Sequence, residues 1–191
     1  MTETIRLATP ADSDALLVIY APYVTDTVIT FELEPPSSAE FEARVRTITA
    51  LHPYLVHTID GTITGFAYAS PYHERAAYRY DASVSIYLRP EWHGKGIGKK
   101  LYTTLFALMR AQGFRTAYAG ITLPNPKSVR IHEAFDFSPI GVYRKTGYKF
   151  GKWLDVIWME KRLGDFDGDP GEIVPVGDLP EDAVRTLLAS V

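Results

Sequence analysis

The chain has 191 residues (21.4 kDa), of which 46% are hydrophobic and 23% charged, the size and balance of one globular domain; wholesale disorder and collagen-like repeats are excluded. It contains no cysteine, which removes disulfide scaffolds, thiolate zinc sites and a cysteine nucleophile. A net charge of −3 without clustered Lys and Arg sets nucleic acid aside, and no run approaches the roughly 18 apolar residues that would span a membrane; with no charged-then-apolar leader, a cytoplasmic protein is the expectation.

Thr4–Ala8 alternates like a short strand. Thr9 then offers a helix cap, with Pro10 at the first helical position, and Ala15, Leu16, Ile19 and Tyr20 form an apolar stripe at helical spacing. Pro35 to Ser38 breaks the chain, and a second helix is expected from Ser38 to about Ala50. Tyr54–Ile59 and Thr62–Ala69 flank Asp60-Gly61, the signature of a β-hairpin. A polar, tyrosine-rich connection leads to a third strong strand, Asp81–Leu88. Gly94 to Gly98 opens a long helix, Lys99–Ala111, which Gln112-Gly113 caps. Thr116–Ile121 reads as a buried strand and Asn125–Phe135 as a helix; Phe137–Tyr143 and Trp153–Lys161 are expected as closing strands around a Gly-rich turn. The order β-α-α-β-β-β-α-β-α-β-β implies a mixed α/β (α+β) sheet rather than a doubly wound array. Residues 164–191 carry seven acids against one base, Arg185. The chain therefore divides into a domain, 1–163, and an acidic Gly/Pro-rich extension, 164–191, expected to be loosely held over 164–178 and to form one short helix over Pro180–Ala189.

The most informative segment runs from Val84 through Arg89-Pro90 to His93-Gly-Lys-Gly-Ile-Gly98 and Leu101. A strand enters three glycines at spacing two and leaves directly as an amphipathic helix. Free N–H groups at a helix N-terminus form an anion cradle, Lys95, Lys99 and Lys100 add positive charge, and a pyrophosphate fits this chemistry. A dinucleotide fold would need its glycine turn after the first strand with an acid about 20 residues on, and a P-loop would need G-x-x-x-x-G-K-[ST]; neither is present.

His93-Gly-Lys-Gly-Ile-Gly98 resembles the Q/R-x-x-G-x-G/A acetyl-CoA signature of the GNAT superfamily of N-acetyltransferases, and Asn125 to Phe137 resembles that superfamily's next motif. Leu123 to Ala134, Gly147 to Asp155, Tyr20 to Pro35, Thr64 to Pro71 and Tyr102 to Gly113 are similar to the phosphinothricin acetyltransferase branch, in register over residues 3–163. The resemblance implies a mostly antiparallel sheet of about seven strands with about four helices, an acetyl-CoA co-substrate with no metal, a small-molecule amine acceptor and a homodimer. It puts the cofactor pyrophosphate on the backbone of Lys95, Gly96, Ile97, Gly98, Lys99 and Lys100, the pantetheine arm along Tyr87, Leu88 and Arg89, and a cofactor contact at Asn125, which can equally cap its helix.

The implied reaction is direct attack of a neutral amine on a thioester, which needs a base for the ammonium, a donor for the developing oxyanion and an acid for the thiolate. His132 occupies the slot of the family's acid. Ser83 stands where the branch has a glutamate base; a hydroxyl cannot do that work unaided, and Asp81, two residues earlier on the same strand face, is the substitute, with His132, Glu32, Glu34 and solvent as others. Asp136 replaces a glycine and His93 a Gln or Arg. The acceptor pocket maps onto Phe31, Tyr72, His73, Arg75, Tyr78, Ser83 to Ser85, Tyr143, Tyr148, Lys149 and Trp153, with Arg75 or Lys149 able to clamp an amino-acid carboxylate. A different amine (polyamine, aminoglycoside or protein N-terminus) and a non-catalytic acyl-CoA sensor are the competing readings.

Overall fold

A computed structural model describes residues 2–189. Its sheet has seven strands: β1 (Glu3–Leu7), β2 (Tyr54–Ile59), β3 (Thr62–Pro71), β4 (Asp81–Leu88), β5 (Thr116–Leu123), β6 (Ser138–Lys149) and β7 (Lys152–Arg162). Five helices accompany it: α1 (Ser13–Thr25), α2 (Ser38–Thr49), α3 (Ile97–Gln112), α4 (Pro126–Glu133) and α5 (Glu181–Ala189). The strand order is β1-β2-β3-β4-β5-β7-β6, and every pairing is antiparallel except β4 with β5. The element order expected from sequence is thus the one observed, and the fifth helix is the short one foreseen at the C-terminus.

Alternation along the strands divides the core in two. Tyr54, Val56 and Phe66 point to α1 and α2, where Leu16, Ile19, Val24, Phe41 and Val45 meet them. Leu55, Ala67, Ala82 and Val84 point to α3, against Leu101, Leu105, Leu108 and Met109. The hairpin at Asp60-Gly61 has both residues at positive φ, as its two-residue turn demands.

Local chemistry shifts two boundaries and fixes a third where it was expected. Before α1, Pro10–Asp12 forms a 3-10 turn whose Asp12 carboxylate takes the Thr9 N–H and pairs with Arg6, so the α-helix starts three residues later than the cap at Thr9 suggested. α2 begins at Ser38 as expected, capped by Ser37 in a reciprocal box with Glu40. β6 reaches Lys149 rather than stopping near Tyr143, because a bulge between Tyr143 and Gly147 absorbs the polar stretch and a tight turn at Phe150-Gly151, both at positive φ, joins it to β7.

The tail corrects a larger expectation: residues 164–178 are held against the body. Val176 is buried, its N–H donates to the Leu51 carbonyl, and the Gln112 side chain bridges the carbonyls of Leu51 and Val174. Tyr80 donates to the Gly171 carbonyl, and Ile173, Leu179, Val184 and Leu188 pack on the α3 side of the core. Acidic composition hid a sparse apolar series, each member placed to meet α3 or β1. No helix among the described residues is long and apolar enough to cross a membrane.

Candidate active site

The parallel pairing of β4 with β5 extends only from Asp81 opposite Thr116 to Ser83 opposite Tyr118, yet β4 continues to Leu88 and β5 to Leu123. Beyond Ser83 the two strands diverge and the sheet opens. At the mouth of this opening lies the N-terminus of α3. Gly94 and Gly96 sit at φ +74° and +82°, left-handed values that glycine adopts without strain, and a Cβ built on either meets no atom within 4 Å. The space beside the turn is open, and the helix's first N–H groups project toward it. Gly98 is a glycine for another reason: its Cβ would come 3.0 Å from Ile131, so it lets α3 and α4 approach. Lys95 lies over the Trp92 ring at 4.2 Å, and Lys99 is exposed.

Lys100 departs from the expectation. Its N–H already bonds the Gly96 carbonyl and its Nζ holds both carboxylate oxygens of Glu3 at 2.6 Å, so it offers the cradle neither a backbone nor a free side-chain donor. Arg89 is likewise engaged, its Nε on the Ile63 carbonyl. At the upper end of β4, the Tyr23 hydroxyl donates to the Leu88 carbonyl (2.6 Å) and accepts from the Leu88 N–H (3.3 Å), with His93 Nε2 3.1 Å from the same hydroxyl. Tyr87 packs its ring against Tyr20, Tyr23 and Phe66. Asn125 caps α4 through the Ser128 N–H.

On the α1 side of the opening is a cleft of about 430 Å³, lined by Ile29, Thr30, Phe31, Ser83, Val84, Ser85, Tyr87, Gly120, Thr122, Tyr143, Thr146, Val156 and Trp158. No lining residue is charged; the wall is hydroxyls and aromatic rings. Ser85 pairs across the strand with Tyr68 and hydrogen-bonds it. Tyr72, His73, Arg75 and Tyr78 line a separate cavity of about 540 Å³, joined to the cleft through Tyr72, which stacks on Tyr118 and meets Trp158 edge-on. Asp81 shares the face of Ser83 beyond the cleft; burial, with the charge of Glu160, raises its carboxyl above the usual range against a Thr116 hydrogen bond that lowers it.

Three expected site residues lie elsewhere. His132 is only 3% exposed and does not line the cleft: its Nδ1–H donates to the Ser128 carbonyl, its Nε2 accepts from Tyr102, and Phe137 closes on the ring, so burial lowers its proton affinity. Lys149 is 2% exposed and gives its ammonium to the Thr30 carbonyl at 2.8 Å, so it cannot clamp a carboxylate in the cleft. Trp153, 62% exposed, sits with Tyr148 on the β6–β7 hairpin. The indole that does line the cleft is Trp158, packed so closely on Gly120 that a Cβ there would fall 3.3 Å from it; the paired glycine and tryptophan on neighbouring strands carry no periodic signal that would have found it. Among the described residues no group of three His, Asp or Glu side chains is arranged to hold a metal ion.

Residues 5–158 match the family model of the acetyltransferase (GNAT) domain. The chain is 36% identical to a phosphinothricin N-acetyltransferase of Streptomyces viridochromogenes, over 90% of this chain and 93% of that one. It is 32% identical to an L-methionine sulfoximine/L-methionine sulfone acetyltransferase of Salmonella typhimurium, over 85% and 95%. Its fold superimposes with a TM-score of 0.83 on a GNAT superfamily phosphinothricin acetyltransferase from Sinorhizobium meliloti solved in complex with acetyl-CoA, at 41% identity, covering 91% of this chain and 94% of that one. The sheet opened beside a glycine-capped helix is that of an acyl-CoA-dependent transferase. The chain belongs to the GNAT acetyltransferase family.

Proposed function

We propose that the protein transfers the acetyl group of acetyl-CoA to the primary amine of a small amino acid or analogue, of the phosphinothricin and methionine sulfoximine class. The observation that carries this is the opening of the sheet after Ser83, with the glycine cradle at its mouth and the hydroxyl- and aromatic-lined cleft alongside. The relatives that act on these two acceptors support the substrate class.

Acetyl-CoA supplies the activated thioester. The backbone of Gly94 to Lys99 holds its pyrophosphate, where successive N–H groups and the helix dipole favour an anion. Leu88 offers the arm its N–H and carbonyl once Tyr23 gives them up. Ser83 and Ser85 orient the amine in the cleft, and Asp81, whose carboxyl is raised by burial, takes the ammonium proton along the face it shares with Ser83. The neutral amine attacks the thioester carbonyl, the C–S bond breaks, and CoA leaves as a thiolate that takes up the proton the attacking nitrogen loses. His132 acts at one remove. It ties α4 to Tyr102 of α3 on the far side of the opening, and so sets the cradle against the cleft. Arg75 and Tyr78 in the adjoining cavity meet the acidic end of the acceptor. The reading takes 1–163 as the catalytic domain with 164–191 as its extension, pairs the chain as a homodimer, and assigns it to the cytoplasm, where acetyl-CoA is made and used.

The test is thiol release from acetyl-CoA with phosphinothricin, methionine sulfoximine, spermidine and a peptide. Turnover of the first two is expected; turnover of only the last two would overturn the substrate class. In the same assay Asp81→Asn should lower kcat by about 10²-fold, most strongly below neutral pH, where more of the amine arrives protonated.

A further inference from the structure

The loop between α1 and α2 runs twelve residues, 26–37, without helix or strand, and its segment Ile29–Phe31 forms the roof of the cleft. Loops of this length with no regular structure move unless something fixes them. Two residues of β6 do so from outside. A Cβ on Gly147 would fall 2.2 Å from the Phe31 ring, so the ring rests directly on the Gly147 backbone. Two residues on, Lys149 Nζ donates to the Thr30 carbonyl at 2.8 Å. From below, the Tyr20 hydroxyl meets Thr30 Oγ1 and Glu32 Oε1, both at 2.9 Å, and Arg44 pairs with Glu32 at 2.6 Å.

Lys149 is the informative member. A side chain 2% exposed, in no ion pair among the described residues and with only the more distant charge of Glu32 in its favour, is an expensive way to fill space. A methionine of similar length would pack there without the penalty of burying an ammonium. The ammonium lies 5.1 Å from the centre of the Phe150 ring in the neighbouring turn, and its one hydrogen bond, which a thioether cannot make, holds a backbone carbonyl that belongs to the cleft. The contact joins residues 119 apart in sequence.

We infer that Lys149 is a positioning residue for the amine acceptor: by fixing the Thr30 carbonyl it holds Phe31 over the cleft, and so sets how the acceptor lies against the thioester. The inference rests on the acetyltransferase reading for its kinetic consequence but not for its structural one. No residue of the cradle on α3 lines the cleft or touches this latch, so the acceptor and not acetyl-CoA should feel its loss.

The experiment compares Lys149→Met and Lys149→Arg with the native chain. Lys149→Met should raise the acceptor KM by about tenfold or more, as small misplacements of a reacting group do. The acetyl-CoA Kd from calorimetric titration should stay within about twofold. Lys149→Arg, which keeps a donor, should recover part of the loss. Phe31→Ala should produce a similar KM, and adding it to Lys149→Met should change little further, since both remove the same roof. Gly147→Ala, which displaces the Phe31 ring and leaves Lys149 untouched, should reproduce the effect if the methionine variant does not fold. Amide exchange at residues 29–32, measured without any ligand, should accelerate in Lys149→Met; unchanged exchange there overturns the inference even if no acceptor is turned over, an outcome that would count against the acetyltransferase reading instead. An unchanged acceptor KM, or acetyl-CoA affinity lost in equal measure, also overturns it.

Discussion

Asp136 holds φ at +62° where the chain leaves α4, a conformation that glycine reaches freely and that costs other residues roughly 1 kcal/mol, somewhat less for Asp. The family's glycine at this position is thus required by the turn, and aspartate tolerates it. The compensating contact is weak: the carboxylate is exposed and 3.5 Å from a buried Lys161 whose ammonium already donates to the Phe135 carbonyl. Asp136→Gly should therefore stabilise the protein by about 0.5–1 kcal/mol in denaturant titrations, with acetyl-CoA binding unaffected. Gly96→Val tests the converse. Nothing crowds a Cβ there, so any damage comes from forcing a β-branched residue to φ +82° and turning the N–H groups away. The acetyl-CoA Kd should rise by tenfold or more, about 1.4 kcal/mol; an unchanged calorimetric Kd would move the cradle elsewhere. Positions like these are legible from sequence because the constraint is local: a turn of given φ wants glycine wherever it occurs. Lys149, His132 and Trp158 were not legible in the same way. Their roles depend on partners brought close only by the finished sheet, and a buried lysine or histidine looks in sequence like one that faces a ligand.

At the level of elements, α3 is the best specified, with an apolar stripe, an opening glycine turn and a closing Gly113 at φ +99°. The tail is the worst specified, since its apolar residues are scattered among acids and the α3 and β1 surfaces they meet are far off in sequence. Its packing reverses the expectation that residues 164–178 are loosely held. Truncation after Leu163 strips Val176 from its buried site, takes the Val174 carbonyl from the Gln112 side chain and the Val176 N–H from the Leu51 carbonyl, and leaves only the bond between Gln112 and Leu51. Losing a handful of partly buried apolar side chains and two hydrogen bonds should remove at least about 3 kcal/mol, or roughly 6–12 °C in Tm, while the acetyl-CoA Kd of the surviving fold changes little. An unaltered Tm would show the tail to be loose after all. The same region sets an acid limit. His52, adjoining Leu51, stacks on Phe114 in the interior, and burial depresses it from the ordinary 6.5 to about 4. Its neutral form is the one the fold accepts. The contribution to stability is complete above pH 6.5, where the unfolded chain is neutral too, and is lost as pH falls toward 4, where the unfolded chain binds a proton that the folded one refuses. His52→Phe should flatten the Tm difference between pH 7.5 and pH 5; an equally steep difference would place the acid sensitivity in other groups.

For the molecule as a whole, the uneven distribution of exposed apolar surface argues for a partner. β6 is an edge strand of twelve residues, and along it and its hairpin Ile140, Val142, Tyr143, Tyr148, Phe150 and Trp153 all face solvent. Monomeric proteins rarely leave so long an edge strand, with so many large apolar side chains along it, uncovered. A second copy is the occupant the homodimer reading requires, and an isologous pairing would cover the same patch on both chains. The cleft would feel it, because Tyr143 and Thr146 of this strand line its wall and Gly147 and Lys149 carry its roof. Val142→Glu puts a carboxylate at the centre of the strand without touching the cleft. Sedimentation at micromolar concentration should give twice the 21.4 kDa chain mass for the native protein and the single-chain mass for the variant. The monomeric variant should still bind acetyl-CoA at its remote cradle, but turn over the amine about tenfold or more slowly, because the β6 wall of the cleft loses its outer support. A native protein that sediments as a monomer, or a monomeric variant with full turnover, would separate the patch from the reaction and leave β6 without a catalytic reason for its exposure.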